Sequence, residues 1–215
     1  MYDELLNEEN LTRKEREKLF KRKEILNAAV KIFAKKGFDH STLDEIAELA
    51  EFGKGTIYNY FENKRDIYLA IIENAFNDYL SSVDEVAKKV KTFREFITNI
   101  TRGFLEYGIN NKEVFSIFSR DHLSTSDDVL KVKSIMDTYH NKITKLYEKF
   151  ISSAIKNKEI KQIVPNIFVL FHRSIILTYI HHFIFENLSV NIEKEAESIL
   201  DILFNGILYK PERSM

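Results

Sequence analysis

The segment GKGTIYNYFENK, Gly53 to Lys64, gathers hydrogen-bonding side chains of modest size between two lysines: Thr56, Tyr58, Asn59 and Tyr60 lie between Lys54 and Lys64. Hydroxyls and a carboxamide can donate and accept at base edges and phosphate oxygens, and ammonium groups complement phosphate. On a helical wheel, Ile57, Tyr60 and Phe61 cluster on one side with the Lys54 stem beside them. Gly55, Thr56 and Asn59 point the other way, with Tyr58 on the flank. A helix that merely faces water would carry Glu, Lys or Gln there. Gly55 instead removes bulk, so that a backbone can come close to something outside the chain. The chemistry suggested is hydrogen-bonded contact with an external polyanion.

Catalytic chemistry has no comparable signature. There is no nucleophile elbow, no phosphate-cradling glycine loop and no HExxH. Asp127 and Asp128 read as the acidic opening of a helix, and the chain as no enzyme. With no cysteine at all, disulfides, thiolate zinc sites and cysteine nucleophiles are excluded together. No cofactor and no metal are expected. The formal net charge is −1, so polyanion binding must come from a local patch. A composition of 44% apolar and 30% charged residues is that of a globular chain. The stretch MYDELLNEENLTRKERE is highly charged and lacks an apolar signal core, which points to the cytoplasm.

Two prolines and six glycines in 215 residues leave little punctuation, and valine and threonine never alternate over a useful run. The expected fold class is therefore all-α. Thr12 with Glu15 forms a capping box that opens a first helix with an apolar stripe of Ile25, Ala28, Ala29, Ile32 and Phe33. KKG ends it, with Gly37 expected in the left-handed region. Thr42 with Glu45 opens a short second helix, EFG breaks it, and a third helix runs from Lys54 to near Phe61. Beyond it, helices are expected at roughly 66–88, 92–109, 112–122, 128–157, 162–186 and 191–208. Helix, tight turn and helix with an outward polar face fits a helix-turn-helix; a plain three-helix unit with a polar face fits the same spacing. The domains expected are residues 12–66, binding DNA, and residues 67–210.

The run ILNAAVKIFAKKGFDHSTLDEIAELAEFGKGTIYNYFENKRDIYLAII, Ile25 to Ile72, resembles the DNA-binding domain of the TetR (tetracycline-repressor) family of transcriptional regulators. AAVKIFAKKGF, the threonine opening helix two, IAELA, KGTIYNYF and NKRDIY carry the resemblance. It implies a homodimer on double-stranded operator DNA with a divergent, helical, ligand-binding C-terminal domain. It implies phosphate contacts for Thr42 and Lys64, and groove or backbone contacts for Lys54, Thr56, Tyr58, Asn59 and Tyr60. The family often has GVSKGT where this chain has EFGKGT, so a serine that caps helix three and touches phosphate is replaced by Gly53.

The apolar segment NIFVLFHRSIILTYIHHFIFENL carries Arg173 at its middle, near His172, His181 and His182. A guanidinium at the centre of a membrane span is costly, so the expectation is a helix buried on both sides and no membrane partner. The histidines read as buried or interface groups, not metal ligands. The same helix, apolar on too many sides for one core, is expected with the last helix (Ile192, Ala196, Ile199, Leu200, Leu203, Ile207) in an isologous homodimer interface. Candidates for contact with a small lipophilic effector are Arg102, Phe104, Tyr107, Phe118, Tyr139, Phe171, Arg173 and Tyr179; Arg120 is a further arginine near an apolar face. The basic TRKEREKLFKRK segment reads either as a self-paired solvated helix or as an arm reaching DNA. The functional expectation is a repressor released from its operator by a small effector; the alternative is a DNA-binding protein whose C-terminal domain holds a protein partner.

Overall fold

The structure, a computed structural model, describes residues 11–119, 126–186 and 191–206, the side chains of 118, 119, 126–129 and 185 excepted. Among the described residues the chain is a succession of helices: α1 (Arg13–Lys36), α2 (Leu43–Leu49), α3 (Lys54–Tyr58), α4 (Lys64–Lys89), α5 (Phe93–Asn110), α6 (Lys112–Ser119), α7 (Ser126–Lys156), α8 (Pro165–Phe185) and α9 (Ile192–Asn205). Packing divides it into a first unit, the chain up to Ala75 with Ser116–Val132, and a second, Phe76–Phe115 with the chain from Lys133.

In the first unit both capping boxes form. Thr12 Oγ accepts from Glu15 N–H at 3.3 Å while Thr12 N–H donates to the Glu15 carboxylate at 2.8 Å. The Thr42–Glu45 pair repeats this at 3.2 and 3.0 Å. Gly37 ends α1 with φ 81° but ψ 162°, so it takes the positive φ without the left-handed helical ψ; its N–H still reaches Phe33 C=O at 2.9 Å. The α2–α3 turn is a Schellman motif: Phe52 N–H donates to Ala47 C=O at 2.9 Å and Glu51 N–H to Glu48 C=O at 3.1 Å. The left-handed residue there is Glu51, φ 57°, and not a glycine. α3 is shorter than the sequence suggests. It stops at Tyr58, and Asn59 and Tyr60 continue as turns that bond to Thr56 and Ile57. Ile57 and Phe61 are nonetheless buried, as are Ile25, Ala29, Phe33, Ile46, Ile67 and Tyr68. Phe33, Phe38 and Tyr68 meet as an aromatic triangle, with ring centroids 5.2–6.4 Å apart.

In the second unit α5 packs against both α8 and α9. Its buried face runs Phe93, Phe96, Ile97, Ile100, Thr101, Phe104, Leu105 and Gly108. Phe96 stacks on Phe150 of α7 at 4.2 Å. A β-carbon at Gly108 would come within 2.4–2.8 Å of the Ile180 side chain, so the α5–α8 approach depends on that glycine. α8 buries Val169, His172, Ile176 and Ile180, but Ile167, Leu170, Phe171 and Leu177 stay exposed. The expectation of a helix buried on both sides is thus met on one side only within the chain. Pro165–Ile184 is long and apolar enough to cross a membrane, and 22% of its 18-residue apolar window is buried.

A boundary at 66/67 does not coincide with a break in the chain. α4 runs unbroken across it, and the packing division falls within that helix, after Ala75. α8 starts at Pro165, where the missing N–H costs nothing. Arg120, Ile207 and the side chains of Phe118, Asp127 and Asp128 lie outside the described residues.

Candidate nucleic-acid interface and effector site

α3 is capped by Gly53, which adopts an extended conformation and gives no side-chain capping bond; its carbonyl accepts from Thr56 N–H at 2.8 Å. The anchor of α3 is Ile57, fully buried. With Ile57 turned inward, Lys54, Gly55, Tyr58 and Asn59 are exposed and Thr56 and Tyr60 half-buried. A β-carbon added at Gly55 would meet nothing within 4 Å. Packing among the described residues therefore does not require this glycine, although glycine in a helix costs about 1 kcal/mol relative to alanine. Tyr58 leaves half its surface open, an unusual exposure for an aromatic ring in so small an element.

The charged groups around this face already have partners. Lys54 pairs with Asp44 of α2 at 2.7 Å, and the Asp44 carboxylate holds the lysine pKa above its ordinary value. Lys36 bonds to Glu45, whose carboxyl is held down by that ammonium and by Thr42 N–H. Thr42 is exposed, and its oxygen accepts from Glu45 N–H at 3.2 Å within the capping box. Lys64 is used differently from the phosphate contact expected. Its ammonium donates to the carbonyls of Phe38, Asp39 and Ser41 at 2.5, 3.3 and 2.8 Å and lies 4.5 Å from the Phe38 ring centre. Desolvation lowers its pKa, with Asp39 and Glu45 opposing. In the basic N-terminal segment, Lys21 pairs with Glu17 at 2.7 Å.

In the second unit the effector candidates separate. Phe104 is buried and stacks on Tyr79 at 4.3 Å. Tyr107 donates to Asp78 at 3.4 Å, and burial, with Asp78 adding, raises its pKa. Tyr139 donates to Asn77 at 2.5 Å and stacks on Phe76 at 5.3 Å. Arg102 pairs with Glu193 of α9 at 3.0 Å, although its Nε is buried without a partner. Phe171 is on the exposed face of α8, and Tyr179 is half-buried beside Phe183. Arg173 has its Nε buried and unpartnered, with its guanidinium 5.4 Å from the centre of the Tyr79 ring.

Sequence reading missed the polar chain beside Arg173. Thr101 donates to Ile97 C=O at 2.8 Å and contacts His172 Nε2 at 2.8 Å; His172 Nδ1 lies 3.1 Å from Tyr147 Oη. All three residues are buried. Thr101 and His172 left a trace in the sequence, as single polar residues on apolar faces. Tyr79 and Tyr147 left none, because tyrosine at helical spacing reads as core. Among the described residues no cluster has the makings of a metal site.

A family model described as "Bacterial regulatory proteins, tetR family" matches residues 25–71. The uncharacterized HTH-type transcriptional regulator YhgD of Bacillus subtilis is 27% identical over 147 residues, covering 68% of this chain and 75% of YhgD. Among solved structures, FadR of Bacillus subtilis in complex with stearoyl-CoA aligns with a TM-score of 0.75 and 21% identity, over 86% of this chain and 98% of that one. AibR in complex with isovaleryl coenzyme A and operator DNA aligns with a TM-score of 0.66 and 17% identity, over 86% and 98%. At these identities the structural likeness is one of fold.

Proposed function

Since the chain belongs to the TetR family of bacterial transcriptional regulators, we propose that it is a homodimeric repressor whose α3 helices read an operator and whose second unit binds an acyl effector that releases it. The observation that carries the DNA-binding half is Gly55, a helical glycine whose β-carbon would meet nothing among the described residues, on an exposed face with Tyr58 and Asn59. A backbone free of side-chain bulk can approach a groove wall, and neighbouring hydroxyls and amides can then reach base edges. Exposed Thr42, at the start of α2, would add a hydroxyl contact to a phosphate. Lys54 would share its charge between Asp44 and a phosphate, at a cost in affinity that salt would modulate.

The effector half rests on two supports. The folds that resemble this one include proteins crystallised with stearoyl-CoA and with isovaleryl coenzyme A. The second unit also holds a buried, aromatic-walled polar cluster suited to an amphiphile. Dimerisation would use the α8 face that carries Ile167, Leu170, Phe171 and Leu177, an apolar stripe at helical spacing. A ligand that shifts the separation of two reading heads on a rigid duplex loses contacts on one side. Coupling of about 1–3 kcal/mol is typical and must act equally in both directions.

Selection from a random duplex pool should enrich a near-palindromic site for the native protein. Gly55→Leu should lose that site while keeping its melting temperature; native affinity in the leucine variant would mean that α3 does not enter a groove. A long-chain acyl-CoA should bind about 5–150-fold more weakly when the operator is present. Equal ligand affinity with and without operator would remove the release mechanism and favour a C-terminal domain that holds a protein partner.

A further inference from the structure

The hydrogens of the buried polar chain in the second unit have a fixed direction. The one proton of the Thr101 hydroxyl goes to Ile97 C=O, so its oxygen must accept from His172 Nε2–H. That fixes the tautomer, and His172 Nδ1 accepts from Tyr147 O–H. Every donor in this chain points toward α5, away from Tyr79. Burial, with Arg173 adding, keeps the ring neutral by lowering the His172 pKa to about 3.

At the far end two donors are left over. Tyr79 Oη is buried beside Tyr147 and makes no well-formed hydrogen bond, in a residue only 4% exposed. Arg173 Nε–H is buried with no acceptor, and no carboxylate pairs with this guanidinium among the described residues. Burial raises the pKa of Tyr79, so its phenol keeps its proton and remains a donor. Buried donors normally find acceptors, because an unmade bond leaves the desolvation cost uncompensated. Thr144 Oγ, buried and unpartnered, lies one helical turn before Tyr147 on α7. What is missing is an acceptor, preferably anionic, in a setting walled by the Phe104 ring stacked on Tyr79.

We infer that Tyr79 and Arg173 are the polar anchor of the effector site and that they take an acyl ligand by its oxygen end, a free carboxylate or a thioester carbonyl. The inference rests on the reading that the second unit binds an effector. It adds which atoms hold the ligand and what the ligand must present. The guanidinium supplies charge and a directed N–H, the phenol a second donor, and neutral His172 holds Tyr147 in place without competing for the anion.

The experiment is calorimetric binding of dodecanoate, dodecanoyl-CoA and 1-dodecanol to native protein, Tyr79→Phe and Arg173→Met, with melting temperatures of each ligand-free protein. Dodecanoate or dodecanoyl-CoA should bind native protein and lose tenfold or more in each variant. Loss in the dodecanoate arm identifies a carboxylate as the acceptor, loss in the dodecanoyl-CoA arm alone a thioester carbonyl. The alcohol should bind weakly and equally in all three proteins. Ligand-free Tyr79→Phe should melt at or above the native temperature, since it sheds an unpartnered buried hydroxyl; a residue of purely structural importance would melt lower. Native acyl affinity in both variants, no acyl binding by the native protein, or a lowered ligand-free melting temperature in Tyr79→Phe would each overturn the inference. Operator release that persists undiminished in both variants would discard this site and leave the regulator reading standing. Failure to bind any operator would discard that reading while the calorimetry still decided the site.

Discussion

Lys64 shows how one residue can be read two ways. Just past the reading helix, a lysine suggests a phosphate contact. In the structure it is the first residue of α4, where a cation meets the positive end of the helix dipole, and three loop carbonyls compensate it. Lys64→Ala should therefore lower unfolding stability by about 1–2 kcal/mol, through carbonyls left without their charged donor. Denaturant unfolding measures this, and stability equal to native would dismiss the clamp. The salt dependence of operator binding separates the second role: a slope reduced by about one would add a phosphate contact. His172 makes a prediction of a different kind. Its pKa falls from the ordinary 6.5 to about 3 on folding, so below the ordinary value the unfolded chain takes up a proton that the folded ring refuses. Stability from this residue is complete above pH 6.5 and is lost as pH falls toward 3, at up to about 1.4 kcal/mol per pH unit. His172→Gln, which retains a donor and an acceptor, should flatten that part of the profile. Parallel pH profiles for the two proteins would show that another group titrates there.

At the scale of elements, two helices among the described residues end on left-handed residues that are not glycine. Glu51 ends α2 and Lys158 ends α7, with φ 57° and 59°. Both make the Schellman bonds: Glu159 N–H reaches Ala154 C=O at 2.8 Å, as Phe52 N–H reaches Ala47. The β-carbon of an L-residue crowds the carbonyl in this conformation at a cost of about 1–2 kcal/mol. Glu51→Gly should relieve most of it and raise stability by about 1 kcal/mol despite the greater freedom glycine has when unfolded. An unfolding midpoint at or below native would mean that the Glu51 side chain contributes more than its backbone costs. The turn carries α3, so the same variant should leave operator preference unchanged.

At the scale of the whole molecule, the exposed apolar stripe of α8 calls for a cover. Phe171 is 53% and Ile167 64% exposed, on a helix whose opposite face is core. In the proposed dimer a second copy of the same stripe would cover it by two-fold symmetry. Phe171→Glu sets two like charges in that interface and should yield a folded monomer by light scattering, with operator affinity lost. A dimer that survives the glutamate would move the interface elsewhere.

The amino-acid order alone determined the helical class, both capping boxes of the first unit and the start of α3 at Lys54, because these are local: each rests on residues three or four apart, and hydrogen bonds at that spacing do not wait for the rest of the fold. The outward face of α3 was legible for the same reason, once Ile57 was placed inward. The rest needed tertiary structure. Glu51 in a left-handed turn has no compositional mark, since the position asks for glycine and the sequence supplies glutamate. Lys64 found carbonyls more than twenty residues away in the chain. Phe171 and His172 are neighbours on an apolar helix, and hydropathy cannot tell which one faces the core; packing against α5 buried the histidine and left the phenylalanine out. The unsatisfied donors of Tyr79 and Arg173 emerged only when α4, α5, α7 and α8 had closed around them, because a missing hydrogen bond is a property of everything that surrounds an atom and not of the residue that carries it.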